Sequence, residues 1–208
     1  DYTAATIARF GEVIIHGLAI KPGKPAILGL CGTTPVLGIP GYPVSGLIVL
    51  EEILYPLLRE FADLDIPGRQ TAEAVLSRRA LSSLNYQEFV RVRLNQIQDH
   101  LAAIPLERGA GLLNSFARAD GLLVIPQNSE GYEAGQPVTV SLLRNIDDIR
   151  QTLSVIGSHD PLIDELSDLF QLSSRDHQPA LHLMSAHVGS MGGVMAVRRG
   201  ESLVAGVH

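Results

Sequence analysis

The chain has 208 residues, 46% apolar and 18% charged, which makes it globular rather than disordered and long enough for one large or two modest domains with real cores. Its formal net charge of −6 argues against a general nucleic-acid binder, which needs a basic footprint. The single cysteine, Cys31, excludes an internal disulfide framework and fits a reducing, cytoplasmic setting; no zinc-ligand spacing, membrane-length apolar run or signal peptide is present.

Residues Thr3 to Phe10 are expected to form a short helix with Thr3 as its cap. Val13 to Ile20 is a nearly continuous apolar run of strand length, which suits a parallel strand covered on both faces; His16 within it reads as a packed or edge residue. Ala26–Leu30 and Pro35–Ile39 are two further strands, split by Gly32-Thr33-Thr34. Pro43 to about Phe61 has helical spacing at Ile48, Leu50, Ile53, Leu54, Leu57 and Leu58, with Pro43 suited to the first helical position. Pro56 falls inside that pattern, so a kink or break is expected near Tyr55.

Two loops in this region carry Pro followed by Gly, the signature of a type II turn. In Lys21-Pro22-Gly23-Lys24 the outer residues are both lysines, held within about 7 Å by such a turn, and like charges that close favour an anion between them. The second, Pro40-Gly41-Tyr42-Pro43-Val44-Ser45, opens the helix, whose first-turn N–H groups form another anion site. Tyr42 stands at the N-cap without a short acceptor side chain. One pocket for a phosphate or oxyanion, built from both loops, is one reading; a surface turn with two solvated lysines is the other.

A boundary at Asp63–Gly68 separates this α/β region, expected to span residues 1–66, from an all-β unit expected over 67–143. There Glu88–Leu94 alternates as a half-buried antiparallel strand should, and Ala74–Leu81, Leu101–Leu106, Gly121–Pro126 and Pro137–Leu143 add strands. Leu112–Arg118 is expected as a short helix after Gly109-Ala110-Gly111. Arg91 and Arg93 point away from the face of Val90, Val92 and Leu94; solvated outer residues are the simpler reading, lining of a cleft the other.

Past Leu143 a polar stretch, Asn145 to about Thr152, leads into a strand at Leu153–Ile156. A helix follows through Phe170, with Asp160 as N-cap and Pro161 at N1. Gln171–Pro179 is a polar connection, Leu181–Met184 a strand, Met191–Arg199 a helix closed by Gly200, and Leu203–Val207 a strand. This β-α-β-α-β order over 144–208 is half of a doubly wound sheet, where ligands sit beyond the carboxyl ends of the strands. Ser158, His159, Ser185 and Ser190 fall in the loops there and are candidate oxyanion ligands, or simply part of loops whose Ser and Asp cap helices.

His16-Gly-Leu-Ala-Ile-Lys-Pro-Gly-Lys-Pro25 and Gly38-Ile-Pro-Gly-Tyr-Pro-Val-Ser45 resemble the molybdopterin molybdenumtransferase family (MoeA type, the gephyrin E-domain family). Glu88–Leu94, Gly109–Ser115 and Ala119–Pro126 resemble its C-terminal β-barrel domain. Gly157–Pro161 and Ser185–Gly193 resemble a solute-binding-protein-like module of the LysR substrate-binding kind, fused to some prokaryotic members. The resemblance implies the C-terminal half of a molybdopterin-binding α/β domain, a small β-barrel and a partial periplasmic-binding-protein-like segment. It implies magnesium-dependent insertion of molybdate into adenylylated molybdopterin with release of AMP, by a homodimer. Lys21 and Lys24 would then hold molybdate or a substrate phosphate, and Pro40, Gly41, Pro43 and Ser45 would shape the pocket. Tyr42 departs from the family's usual Asn. The family's Gly-rich loop and acidic residues, the expected metal ligands, lie upstream of residue 1, so the chain is expected to be part of a longer protein and inactive alone. A different class of function stays open: a module that binds or senses molybdate, tungstate or a pterin, or an interaction scaffold.

Overall fold

A computed structural model describes residues 2–106, 118–173 and 182–208. The first helix, α1 (Tyr2–Phe10), lies on an antiparallel sheet of β1 (Glu12–His16), β3 (Ile27–Cys31) and β4 (Thr34–Gly38), ordered β1-β3-β4. Ile7 packs so tightly over Gly29 that a Cβ there would stand 2.4 Å from its Cγ2. Thr3 sits inside the first turn and does not cap it.

The expected parallel strand over Val13–Ile20 is instead two elements. Gly17, at φ 93°, breaks the run, leaving β1 as an antiparallel edge and β2 (Ile20–Lys21) as a separate short strand. Ile14, Ile15 and His16 are exposed. An apolar run reads the same whether its faces are covered or left open, and only its pairing separates the two cases.

The long helix runs as α2 (Pro43–Val49), a π turn (Leu50–Leu54) and α3 (Tyr55–Ala62). Pro56 has no N–H to give Glu52, and the turn before it widens, with the Tyr55 N–H reaching back five residues to the Leu50 carbonyl. The sequence break is thus a π turn inside a continuing helix.

The centre of the molecule is a closed barrel of β7 (Gln87–Ile97), β8 (His100–Pro105), β5 (Thr71–Leu76), β11 (Pro137–Leu142) and β9 (Gly121–Ile125). β9 pairs with β7 to complete the ring; all pairs are antiparallel except β5–β8. Leu76, Val92, Leu94, Ala103, Leu123, Ile125 and Val140, each at most 1% exposed, fill it. The expected strand Ala74–Leu81 divides into β5 and β6 (Ala80–Leu81), and β6 pairs with β10 (Gly131–Tyr132) beside the barrel. The expected helix at Leu112–Arg118 lies, apart from Arg118, outside the described residues.

Beyond the barrel, the polar stretch after Leu143 is a short helix, α4 (Ile146–Arg150), rather than a connection. Asn145 caps it by accepting the Asp147 N–H, and Ile149 enters the barrel core. β12 (Thr152–Gly157) and β13 (His182–His187) pair in parallel, with α5 (Pro161–Ser173) between them and α6 (Gly189–Arg198) after. Asp160 accepts the Leu162 N–H at the start of α5, as its cap position requires. The segment after α6 bridges β12 in parallel at Val155–Val204, so β12 lies in the middle. Here α6 approaches closely: a Cβ on Gly193 would come within 2.5 Å of the Ile156 carbonyl oxygen.

The barrel makes two seams with its flanks. Toward α2, Ile48, Phe89 and Leu122 form an apolar cluster, and Glu51 of the π turn is gripped by Arg69, whose Nη1 donates to the Leu142 carbonyl. Toward the last segment, the buried Glu201 carboxylate meets Arg78 Nε at 2.7 Å and both Nε and Nη2 of Arg199 at 3.0 Å, while its carbonyl accepts from Asn95 Nδ2. Among the described residues no helix is long and apolar enough to cross a membrane.

Candidate functional site

Both lysines of the first loop face the opening of β7. β2 pairs in parallel with β7, placing Lys21 opposite Glu88. Lys21 Nζ stands 3.6 Å from the buried Glu88 carboxylate, and Lys24 Nζ lies 5.4 Å from the centre of the Tyr86 ring. Part of the charge on the loop is therefore answered from within the chain, by one ion pair and one cation–π contact. The bend differs from the expected type II turn: the Lys21–Pro22 peptide is cis, and the closing hydrogen bond runs from the Ala26 N–H to the Gly23 carbonyl. Gly23 does take the positive φ expected of it, 121°.

The second loop delivers Tyr42 to the N-cap in extended conformation without a side-chain cap bond, and Pro43 to the first helical position, as the sequence indicates. Gly41 has no positive φ, so this loop is not a type II turn either. Gly41, Tyr42 and Pro43 are exposed, Pro40 half-buried, and Ser45 buried on the inner side of α2. The first loop touches this helix at Val49, where a Cβ on Gly23 would come within 3.2 Å of Val49 Cγ2. Six residues separate that contact from Pro43, a rise of roughly 9 Å along the helix.

A second group of cations lies further along β7. Arg91 and Arg93 do point away from the barrel core, but they are not solvated: each is 8% exposed. The outer face of this strand, which also carries Phe89, is covered by neighbouring elements, and that covering is invisible in an alternating pattern. Burial pushes both guanidinium groups down from their ordinary range. At Arg93 the Asp120 carboxylate opposes this, and Arg118 and Arg144 add to it. Arg93 Nε is buried without a hydrogen-bond partner. Asp120, 2% exposed, is already committed, accepting from Arg144 Nη1 at 2.9 Å and from the Leu94 N–H at 3.0 Å. Arg93 and Arg144 thus share one carboxylate, with Arg118 close enough to Arg93 to oppose its charge, a local excess of positive charge that suits an anionic guest.

At the carboxyl ends of β12 and β13, three of the four expected residues meet. Ser158 Oγ lies 2.6 Å from His208 Nδ1, Ser190 Oγ stands between the N–H and carbonyl of His208, and the His159 ring meets that of His187 edge-on at 4.4 Å. Ser185 instead sits within β13, opposite Val155. The participation of His187 and His208 went unread in the sequence, where each stands alone in an apolar run; only parallel pairing brings them beside the serines.

Comparison with known proteins bears on the first two regions. Residues 1–60 match the family described as "Probable molybdopterin binding domain", and residues 73–143 match "MoeA C-terminal region (domain IV)". A Methanocaldococcus jannaschii protein named for molybdopterin biosynthesis is 34% identical over 145 residues, covering 69% of this chain and 33% of that one. The molybdopterin molybdenumtransferase of Haemophilus influenzae is 27% identical over 144 residues, covering 67% and 35%. A crystal structure of a molybdopterin biosynthesis MoeA protein from Pyrococcus horikoshii superposes with a TM-score of 0.56 at 35% identity, covering 69% of this chain and 35% of that one. The chain spans about a third of the length of these relatives. It therefore carries a MoeA-type C-terminal region beside a stretch of the molybdopterin-binding domain family, with molybdopterin molybdenumtransferases among its relatives.

Proposed function

We propose that this chain forms part of a molybdopterin molybdenumtransferase and contributes the cationic surface that holds the anionic substrates. The reaction is magnesium-dependent insertion of molybdate into adenylylated molybdopterin, with release of AMP. The observation that carries this reading is the pairing of β2 with β7, which fastens the lysine loop to the strand that buries Arg91 and Arg93. Lys21 and Lys24 hold molybdate or a substrate phosphate by charge alone, without a covalent step. Pro40, Gly41 and Pro43, with Ser45, shape the start of α2, whose free N–H groups face an anion. Arg93 and its neighbours extend the same field along β7.

Among the described residues no three His, Cys, Asp or Glu side chains converge to hold a metal ion. Glu51 is committed to Arg69, so the described residues do not fit a magnesium site and no step is assigned through one. The protein acts in the cytoplasm as a homodimer, with the exposed apolar side chains Tyr2, Phe10 and Ile14 available for association.

In the intact protein with its natural flanking sequence, Lys21→Ala with Lys24→Ala should lower molybdenum insertion by about 100-fold or more. The circular dichroism spectrum and melting temperature should be retained, with Lys24→Ala alone as the control that leaves Glu88 its partner. Undiminished insertion would refute the assignment.

A second reading is favoured by the Ser158, Ser190 and His208 contacts at the carboxyl edge. In it, residues 144–208 are the start of a solute-binding-protein-like module that binds molybdate, tungstate or a pterin. Calorimetric titration of molybdate and tungstate separates the two: binding lost with Ser158→Ala plus Ser190→Ala, but kept in the lysine double variant, selects the module.

A further inference from the structure

The two lysines of the first loop are held in unlike ways. The loop backbone is fixed from both sides: the Gly17 and Leu18 N–H groups donate to the Ala26 and Lys24 carbonyls at 2.9 Å, and the Gln87 N–H donates to the Ala19 carbonyl at 2.8 Å. What can move is the side chains. Lys24 Nζ faces a neutral ring, that of Tyr86. Lys21 Nζ faces a carboxylate, Glu88, at 3.6 Å. That is longer than the 2.7 Å of Arg78–Glu201 or the 2.9 Å of Arg144–Asp120, and beyond the range of a short charge-assisted hydrogen bond. The Lys21 side chain is 54% exposed and that of Glu88 only 5%. The ammonium is therefore the partner free to leave. The carboxylate stays, on the face of β7 that Val90, Val92 and Leu94 continue into the barrel.

We propose that Glu88 is a positioning residue acting through Lys21: the resident counter-ion of the empty loop, exchanged for an anionic substrate when one arrives. This rests on the reading of the lysine loop as the surface that holds molybdate or a substrate phosphate. On binding, the Lys21 ammonium turns from Glu88 to the oxyanion. Lys24 keeps the face of Tyr86, since a ring competes with an anion far less than a carboxylate does. The anion gains only the difference between its own contact with Lys21 and the one that Glu88 gives up. It also binds against the repulsion of a buried carboxylate that loses this ammonium and cannot withdraw. Glu88 thus limits the affinity of the loop for anions and keeps the bound anion exchangeable.

The test uses the intact protein with its natural flanking sequence and molybdate, read by steady-state insertion and by calorimetry. Glu88→Gln keeps the shape and removes the charge. It should lower both KM and Kd for molybdate by about fivefold, the effect of one like charge removed from the rim of a site, with kcat held. Glu88→Asp keeps the charge and should stay within about twofold of the parent. A residue that only braced the loop would act in the other direction, raising KM or lowering kcat in both variants together with the melting temperature. A crystal structure of the parent with molybdate, which needs no variant, should show Lys21 Nζ on the oxyanion and Lys24 still over Tyr86. The proposal is overturned if Glu88→Gln leaves KM unchanged or raises it, or if Lys21 remains on Glu88 with molybdate bound. The lysine double variant tells two failures apart. Undiminished insertion by it removes the anion site itself, and the exchange with it; lost insertion, with KM unmoved in Glu88→Gln, removes the exchange at Glu88 alone.

Discussion

The barrel is held on one flank by an apolar cluster backed by the Glu51–Arg69 pair and on the other by the charges around Glu201, and the residues at the centre of the two seams respond differently to the same insult. Ile48 is 1% exposed among Phe89, Leu122 and Ile20, with no polar atom to satisfy. Glu201 is almost as buried, but its partners Arg78 and Arg199 have side chains 48% and 35% exposed. A methyl group removed from the first seam leaves a hole; a carboxylate removed from the second leaves guanidinium groups that water can reach. Burial of the central residue alone does not rank the seams; the exposure of its partners does.

The largest effect that would break this contrast is at the apolar seam. Ile48→Ala should cost about 3 kcal/mol in denaturant unfolding, through lost transfer energy and an incompletely collapsed cavity, and the cost should not change with salt. Glu201→Ala should cost less, about 2 kcal/mol, because Arg78 and Arg199 rehydrate where fully buried partners could not. That cost should shrink as salt rises and screens the pair in the parent protein. Equal costs with equal salt response would show that the seams do not differ in kind.

The smallest effect sharpens the first seam by pH. Burial pushes the Glu52 carboxyl up from its ordinary value, and Glu51 beside it adds to the rise. The folded protein therefore holds the proton more tightly than the unfolded chain. The associated stability is present below the ordinary glutamate range and is lost as pH rises through the raised value. Unfolding measured from about pH 4 upward should show this decline, reaching a plateau once Glu52 is ionised, and Glu52→Gln should flatten it. The effect is slight, since Glu52 itself reaches solvent.

What the sequence exposes and what it hides follow from the same asymmetry. The chemistry of helix ends and breaks is local, so Pro43 at the first helical position, Asp160 as a cap and the disturbance before Pro56 could all be read without partners, whereas the type of the two Pro-Gly turns could not. Strand alternation gave the inward face of β7 correctly, since Val90, Val92 and Leu94 do fill the barrel. The outward face could not be read, because whether Arg91 and Arg93 meet water depends on what packs over them. The same holds for Val13–Ile20, whose pairing direction is a tertiary fact, and for Asn145–Thr152, where a capped turn of helix hides in a polar stretch. At the sites, the lysine loop was legible as a pair of charges, but Glu88 and Tyr86 lie more than 60 positions along the chain and reach it only through β2.

Strand β7 bonds to β2 and β8 along one edge and to β9 along the other, and its far half lies under α4 and β12. The lysine loop, the barrel and the last segment are thus each spliced to one eleven-residue strut. Loosening of the flanking sheet, or of the parallel pair at the far end, can proceed while this strut keeps its ladder. Deuterium uptake at the Val92 and Leu94 amides should then report the free energy of complete unfolding rather than of any partial opening.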